Sequence, residues 1–168
     1  MNHIRPIGWM DSAKLTANFI LRYADQLSSD GPVLKLHLRD DDRGDLPILT
    51  GDRKFGSAVN FLQRLKQTAA PFLGGKPADL GSVWIERLMP NGHTPWSQED
   101  EPELIRLHIA LTTNPHAFLY CGGEGVNLGI GVVNYVNAQA LTSAANFGTA
   151  PRDHLVVNVR RPSEIEAD

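Results

Sequence analysis

A single cysteine, Cys121, stands in a chain of 168 residues. That scarcity excludes an intramolecular disulfide and a cysteine-based zinc site, and it suits a reducing compartment. Long hydrophobic runs are missing too: nothing approaches the roughly 20 apolar residues of a membrane span. The N-terminal MNHIRPIGWM has no apolar h-region, so the chain is expected in the cytoplasm, with no membrane partner. There is no basic excess. Lys and Arg number 16 against 19 Asp and Glu, a formal charge of −3, so no nucleic-acid footprint is expected. Internal repeats and low-complexity linkers are absent. What remains is the 42% hydrophobic and 21% charged composition of a globular protein long enough to bury its own core. The expectation is a single domain over residues 1–168, with a helical and strand part over 1–81 and a β core over 82–162.

The first part of the chain carries helical spacing. Asp11 or Ser12 can cap a helix in which Leu15, Phe19, Tyr23 and Leu27 recur four apart, ended by the turn residues of SSDGP. VLKLHLR alternates Leu34, Leu36 and Leu38 with Lys35, His37 and Arg39, as a half-buried strand does. The acidic run Asp40, Asp41, Asp42 lacks calcium-loop spacing and reads as a solvated turn. A second helix is expected over Ser57–Ala70, with Val59, Leu62 and Leu65 on one face and Pro71 beyond its end. From Ser82 the period changes to two. SVWIERLM, LIRLHIAL, HAFLYCG, a short VNLG, VVNYVN and HLVVNV read as strands between Gly, Pro and Asn turns. Helices followed by short strands make an α+β protein with a sandwich or barrel.

LIRLHIAL holds the candidate chemistry. Ile105, Leu107, Ile109 and Leu111 face one way, and Arg106, His108 and Ala110 the other. Two arrangements fit this alternation. On an outer strand Arg106 and His108 meet solvent; in a small barrel the polar face is the interior, where both need partners.

Pro90 to Pro162 resembles the aspartyl/asparaginyl β-hydroxylase family. The resemblance rests on the loop opening at Pro90, the strand Arg106-Leu107-His108, and Arg152, which opens RDHLVVNVRRP, at closing spacings. It implies a double-stranded β-helix (jelly-roll, cupin-like) core with the N-terminal helices packed outside. It also implies Fe(II)- and 2-oxoglutarate-dependent oxygenase chemistry, with Arg106 and His108 on one carboxylate of 2-oxoglutarate and Arg152 on the other.

At the positions where the family places its metal ligands the chain departs from it. Seven residues after Pro90, where a histidine begins a His-x-Asp or His-x-Gly pair, stands Ser97, with Glu99 two further on. Ten before Arg152, where a second histidine stands, is Thr142. Neighbouring registers (Trp96 and Gln98, Leu141 and Ser143) supply no imidazole, and His93 and His116 read as loop histidines. Iron of this class needs imidazole and carboxylate donors, so no metal is expected at Ser97, Glu99 and Thr142. Glu86 takes the place of a small hydroxyl residue near Arg152; a buried carboxylate there would pair with the arginine and repel a dicarboxylate, whereas a solvent-facing one would not.

The favoured function is therefore a metal-independent enzyme, with no cofactor, working on a small carboxylate-bearing molecule by isomerisation, cyclisation, elimination or hydrolysis. Glu99 is the expected base and His108 the acid, with Arg106, His108, Arg152 and Glu86 around the anion. The alternatives are a dioxygenase using Fe(II) and 2-oxoglutarate on an amino-acid-like substrate, and a non-catalytic module that binds a small acid. Cys121, beside Gly122 and Gly123, reads as a buried structural thiol.

Overall fold

The computed structural model describes residues 2–11, 31–40, 44–45, 63–73 and 79–160. The helix expected to start at Asp11 or Ser12, the Asp41-Asp42 turn and the beginning of the second expected helix lie outside the described residues. Ten strands are assigned: β1 (Ile4–Trp9), β2 (Val33–Asp40), β3 (Gly44–Asp45), β4 (Asp79–Leu88), β5 (Leu104–Thr112), β6 (Ala117–Cys121), β7 (Glu124–Val126), β8 (Val132–Val136), β9 (Thr142–Asn146) and β10 (Arg152–Arg160). They form a seven-stranded sheet in the order β1-β8-β5-β10-β4-β2-β3 and a three-stranded sheet β7-β6-β9. Every pairing within these sheets is antiparallel. This is the expected jelly-roll core of an α+β protein, and its large sheet draws β1 and β2 from the N-terminal part.

The central strands of the large sheet are covered on both faces. On one face Val83, Ile85, Leu107, Ile109, Leu155, Val157 and Val133 form a cluster with Leu65 and Ala69 of the helix at residues 63–69. That helix gives way to a 3-10 turn at Ala70–Leu73, where Pro71 has no N–H to continue the α-helical ladder. The other face looks toward the small sheet, where Leu88, Ala110 and Val136 meet Leu119, Cys121 and Ala144. Both arrangements allowed for LIRLHIAL thus resolve to the second: its apolar face packs under the helix and its polar face lines the interior.

Among the described residues three strands were not expected: β1, the two-residue β3 and β9. β9, TSAAN, is buried at every position and pairs with β6; without large β-branched residues or alternation it carries no strand signal. β1, IRPIGW, contains Pro6 and Gly8 and lies at the sheet edge, the position where proline is tolerated. The expected VNLG strand is not formed: β7 (Glu124–Val126) ends at its first residue. β7 follows a two-residue loop at Gly122 and Gly123, whose φ values of 57° and 86° suit a type I′ hairpin between the paired Cys121 and Glu124. Among the described residues no helix is long and apolar enough to cross a membrane.

Candidate active site

Period-two alternation places one polar set on the interior face of four neighbouring strands. Arg152, His154 and Asn158 come from β10, Trp84 and Glu86 from β4, Arg106 and His108 from β5, and Lys35 and His37 from β2. Cross-strand pairs lock their positions: His154 opposite Glu86, Val156 between Trp84 and His108, Asn158 opposite Arg106, and Lys35 opposite Glu86. Arg106, His108, Arg152 and Glu86, distant in sequence, are thereby brought to one surface.

Each arginine of this set already holds a carboxylate. Arg152, 1% exposed, donates from Nη2 to Glu86 Oε1 at 2.7 Å, and Glu86 is itself 6% exposed. The buried alternative for Glu86 is the one realised. Lys35 Nζ lies 3.8 Å from the other oxygen of Glu86, from a half-exposed side chain. Arg106 donates from Nη2 to Glu99 and from Nε to Asn158 Oδ1 at 3.0 Å. Trp84 supports two of the cations, with Arg106 Cζ and Lys35 Nζ each 5.5 Å from its ring centroid. The His37 ring stacks on the same indole at 6.1 Å. The anion that Arg106 and Arg152 need is thus supplied in part by the chain. Three cations against two carboxylates leave one positive charge, which suits a monoanion better than a dianion.

His108 and His154 meet edge to face, with Nδ1 atoms 3.5 Å apart and centroids at 5.7 Å. Burial pushes both imidazoles well below the usual 6.5; Arg106, Arg152 and Lys35 act in the same direction on His108, as do Arg152 and His108 on His154. Both shifts favour the neutral rings, so His108 would enter a reaction as an imidazole and not as an imidazolium. Four buried polar atoms lack a hydrogen-bond partner among the described residues, namely Arg152 Nε and Nη1, His154 Nε2 and Trp84 Nε1. All lie on β4 and β10, on the interior face. Unpartnered buried polar atoms clustered in this way can be answered by a water, an ion or a ligand.

His154, Trp84, Lys35 and Asn158 were absent from the sequence-based set. The signal for His154 and Asn158 was present in RDHLVVN, since they share a face with Arg152 just as His108 does with Arg106.

The family's metal positions converge, yet they do not fit iron. Ser97 and Thr142 pair through their backbones, with N–O distances of 2.9 and 2.8 Å, as residues 92–99 run along the free edge of β9. Ser97 is exposed. Thr142 donates its hydroxyl to Ala140 O at 3.0 Å and lies 3.5 Å from Cys121 Sγ. Glu99 is held by Arg106. Neutral hydroxyls committed elsewhere and one paired carboxylate do not make the donor set that Fe(II) requires. His93 and His116 are exposed, and among the described residues no group of three His, Cys, Asp or Glu side chains could hold a metal ion. The 2-oxoglutarate fit is also poor, because Glu86 occupies Arg152. Cys121 is buried, its thiol pushed up by desolvation.

Other polar contacts are architectural. Arg87 grips Asp153 through two bonds, at 2.7 and 3.1 Å, which raises the Arg87 pKa, chiefly by that hydrogen bonding. Asn146, fully buried, donates to Leu88 O and Ala150 O and accepts from Asn114 and Gly148.

No family model matches this sequence, and no curated protein does. Several solved structures share its fold. AviO1 from Streptomyces viridochromogenes Tue57 is similar at 18% identity and a TM-score of 0.66, over 97% of this chain and 90% of that one. The non-heme alpha ketoglutarate dependent epimerase SnoN from nogalamycin biosynthesis is similar at 13% identity and a TM-score of 0.68, over 98% and 83%. The collagen prolyl hydroxylase vCPH of Paramecium Bursaria Chlorella virus-1, in its 2OG complex, is similar at 8% identity and a TM-score of 0.63, over 95% and 96%. At these identities the likeness establishes the shared fold alone.

Proposed function

We propose that this chain is a metal-independent enzyme on an oxygenase scaffold related to the aspartyl/asparaginyl β-hydroxylases, and that it moves a proton on a small monocarboxylate. The observation that carries this reading is the pairing of neutral imidazoles with a buried, partly unpartnered guanidinium on one interior face. His108 is the base that takes a proton from the carbon next to the carboxylate or carbonyl group. Arg152 holds that group and stabilises the negative charge developing on its oxygen. Return of the proton to a different carbon of the resulting anion completes an isomerisation, or loss of a leaving group completes an elimination. Glu99 and Arg106 neutralise each other beside the site, so the base role first assigned to Glu99 passes to His108. Two fold neighbours, described as an alpha ketoglutarate dependent epimerase and an alpha ketoglutarate dependent carbocyclase, are compatible with a non-hydroxylating outcome, while their cosubstrate dependence belongs to the dioxygenase alternative.

The test is proton exchange in deuterium oxide, with a chelator present, across a panel of small monocarboxylates bearing an α-hydrogen. Exchange without iron is expected. His108→Ala should lower its rate by about 10²–10⁴-fold, the usual contribution of a general base. Turnover appearing only after addition of Fe(II) and 2-oxoglutarate would instead establish the dioxygenase alternative. Binding without any exchange would establish a carrier of small acids.

A further inference from the structure

His154 has no part in the proton transfer described above, yet its contacts determine which nitrogen of His108 is free. The two Nδ1 atoms face each other at 3.5 Å. A stable contact between neutral rings has one N–H and one lone pair there, because two hydrogens or two lone pairs repel. The other nitrogen of His154 decides the order. Its Nε2 is buried without a partner, as are Nε and Nη1 of Arg152 two residues earlier on the same face of β10. The guanidinium nitrogens can only donate, so a group that satisfies them brings acceptor oxygens. His154 Nε2 can share those oxygens only as N–H. Its Nδ1 is then the lone pair, and His108 must carry its hydrogen on Nδ1.

We propose that His154 is a positioning residue that fixes His108 as the Nδ1–H tautomer, leaving Nε2 of His108 as the proton acceptor, while its own Nε2–H shares the substrate carboxylate with Arg152. The substrate role rests on the proposed function; the tautomer rests only on an acceptor-bearing anion bound at Arg152, not on turnover. In the exchange reaction the hydrogen leaves carbon for His108 Nε2 and the electron pair moves onto the carboxylate or carbonyl oxygen; reversal restores both. The Nδ1–H bond to His154 remains intact and supports the imidazolium formed in between.

Long-range ¹H–¹⁵N spectra of the histidine rings at pH 7.5 test this on the unmodified protein saturated with acetate, a monocarboxylate that supplies the acceptor oxygens without turnover. The expected pattern is protonated Nδ1 and bare Nε2 on His108, with the reverse on His154. A wild-type His108 carrying its hydrogen on Nε2 overturns the proposal. His154→Asn places an amide oxygen near the Nδ1 position and is expected to keep the His108 tautomer. His154→Leu is expected to lose it and to shift the pH profile of exchange, with a rate at least tenfold lower. An unchanged tautomer in a folded His154→Leu protein also overturns it. Because the spectra need no turnover, failure of the proposed function would leave the tautomer result standing, and a wrong tautomer would leave the exchange assay free to succeed.

Discussion

Glu86→Ala is expected to cost about 3–5 kcal/mol of folding stability, the usual penalty for removing one partner of a buried ion pair. The carboxylate and the guanidinium bond at 2.7 Å, and their side chains are 8% and 1% exposed, so water cannot take over the lost role. Lys35, half-exposed and 3.8 Å away, loses little when the carboxylate goes. Arg152 would keep its charge with all its nitrogens short of acceptors, adding to the two already unpartnered. Adding Arg152→Ala to Glu86→Ala is expected to recover part of the loss, because no unpaired charge is left behind. Urea denaturation of the two single variants and the double variant gives the coupling. A Glu86→Ala cost below about 1 kcal/mol, the level of an exposed pair, would mean that Glu86 and Arg152 are not a buried unit.

Stability is expected to fall steeply as pH drops below 6.5. Both His108 and His154 have pKa values held well below the ordinary 6.5, first by burial. Above 6.5 each is neutral in the folded and unfolded chain alike. Below it the unfolded chain binds two protons that the folded chain refuses, so acid favours unfolding. The slope reaches about 1.4 kcal/mol per pH unit for each histidine and levels off only below the folded-state values. The groups facing the pair are Arg106, Arg152 and Lys35, which oppose protonation, and Glu86 and Glu99, which are already engaged by those cations. Unfolding free energies between pH 8 and pH 5, above the range where carboxylates titrate, check the effect. A flat profile there would mean that the rings protonate freely in the folded protein.

The strands with large alternating side chains were legible from sequence. LIRLHIAL and HLVVNV lie where their period placed them, as β5 and β10. What alternation could not decide was which face of β5 is buried, since here both are. One face meets Leu65 and Ala69, and the other holds ionised and imidazole groups that bury only because they satisfy one another. β9 was illegible because a strand covered on both faces needs no alternation, and the close approach of residues 92–99 requires small side chains. Arg106, His108 and Arg152 were found through their motif. Their partners Glu99 and Glu86 were named as neighbours of the site, while the ion pairs that neutralise it depend on strand register. His154 was passed over because it begins an apolar run.

Anaerobic Fe(II) titration by calorimetry, with and without 2-oxoglutarate, bears most directly on the central claim that this scaffold works without iron. Ser97 is exposed, Thr142 donates to Ala140, and Glu99 is held by Arg106. The expected result is no stoichiometric heat and no rise in melting temperature in either arm. Tight one-to-one binding of Fe(II), or a marked rise in melting temperature with it, would contradict the claim and restore the dioxygenase reading.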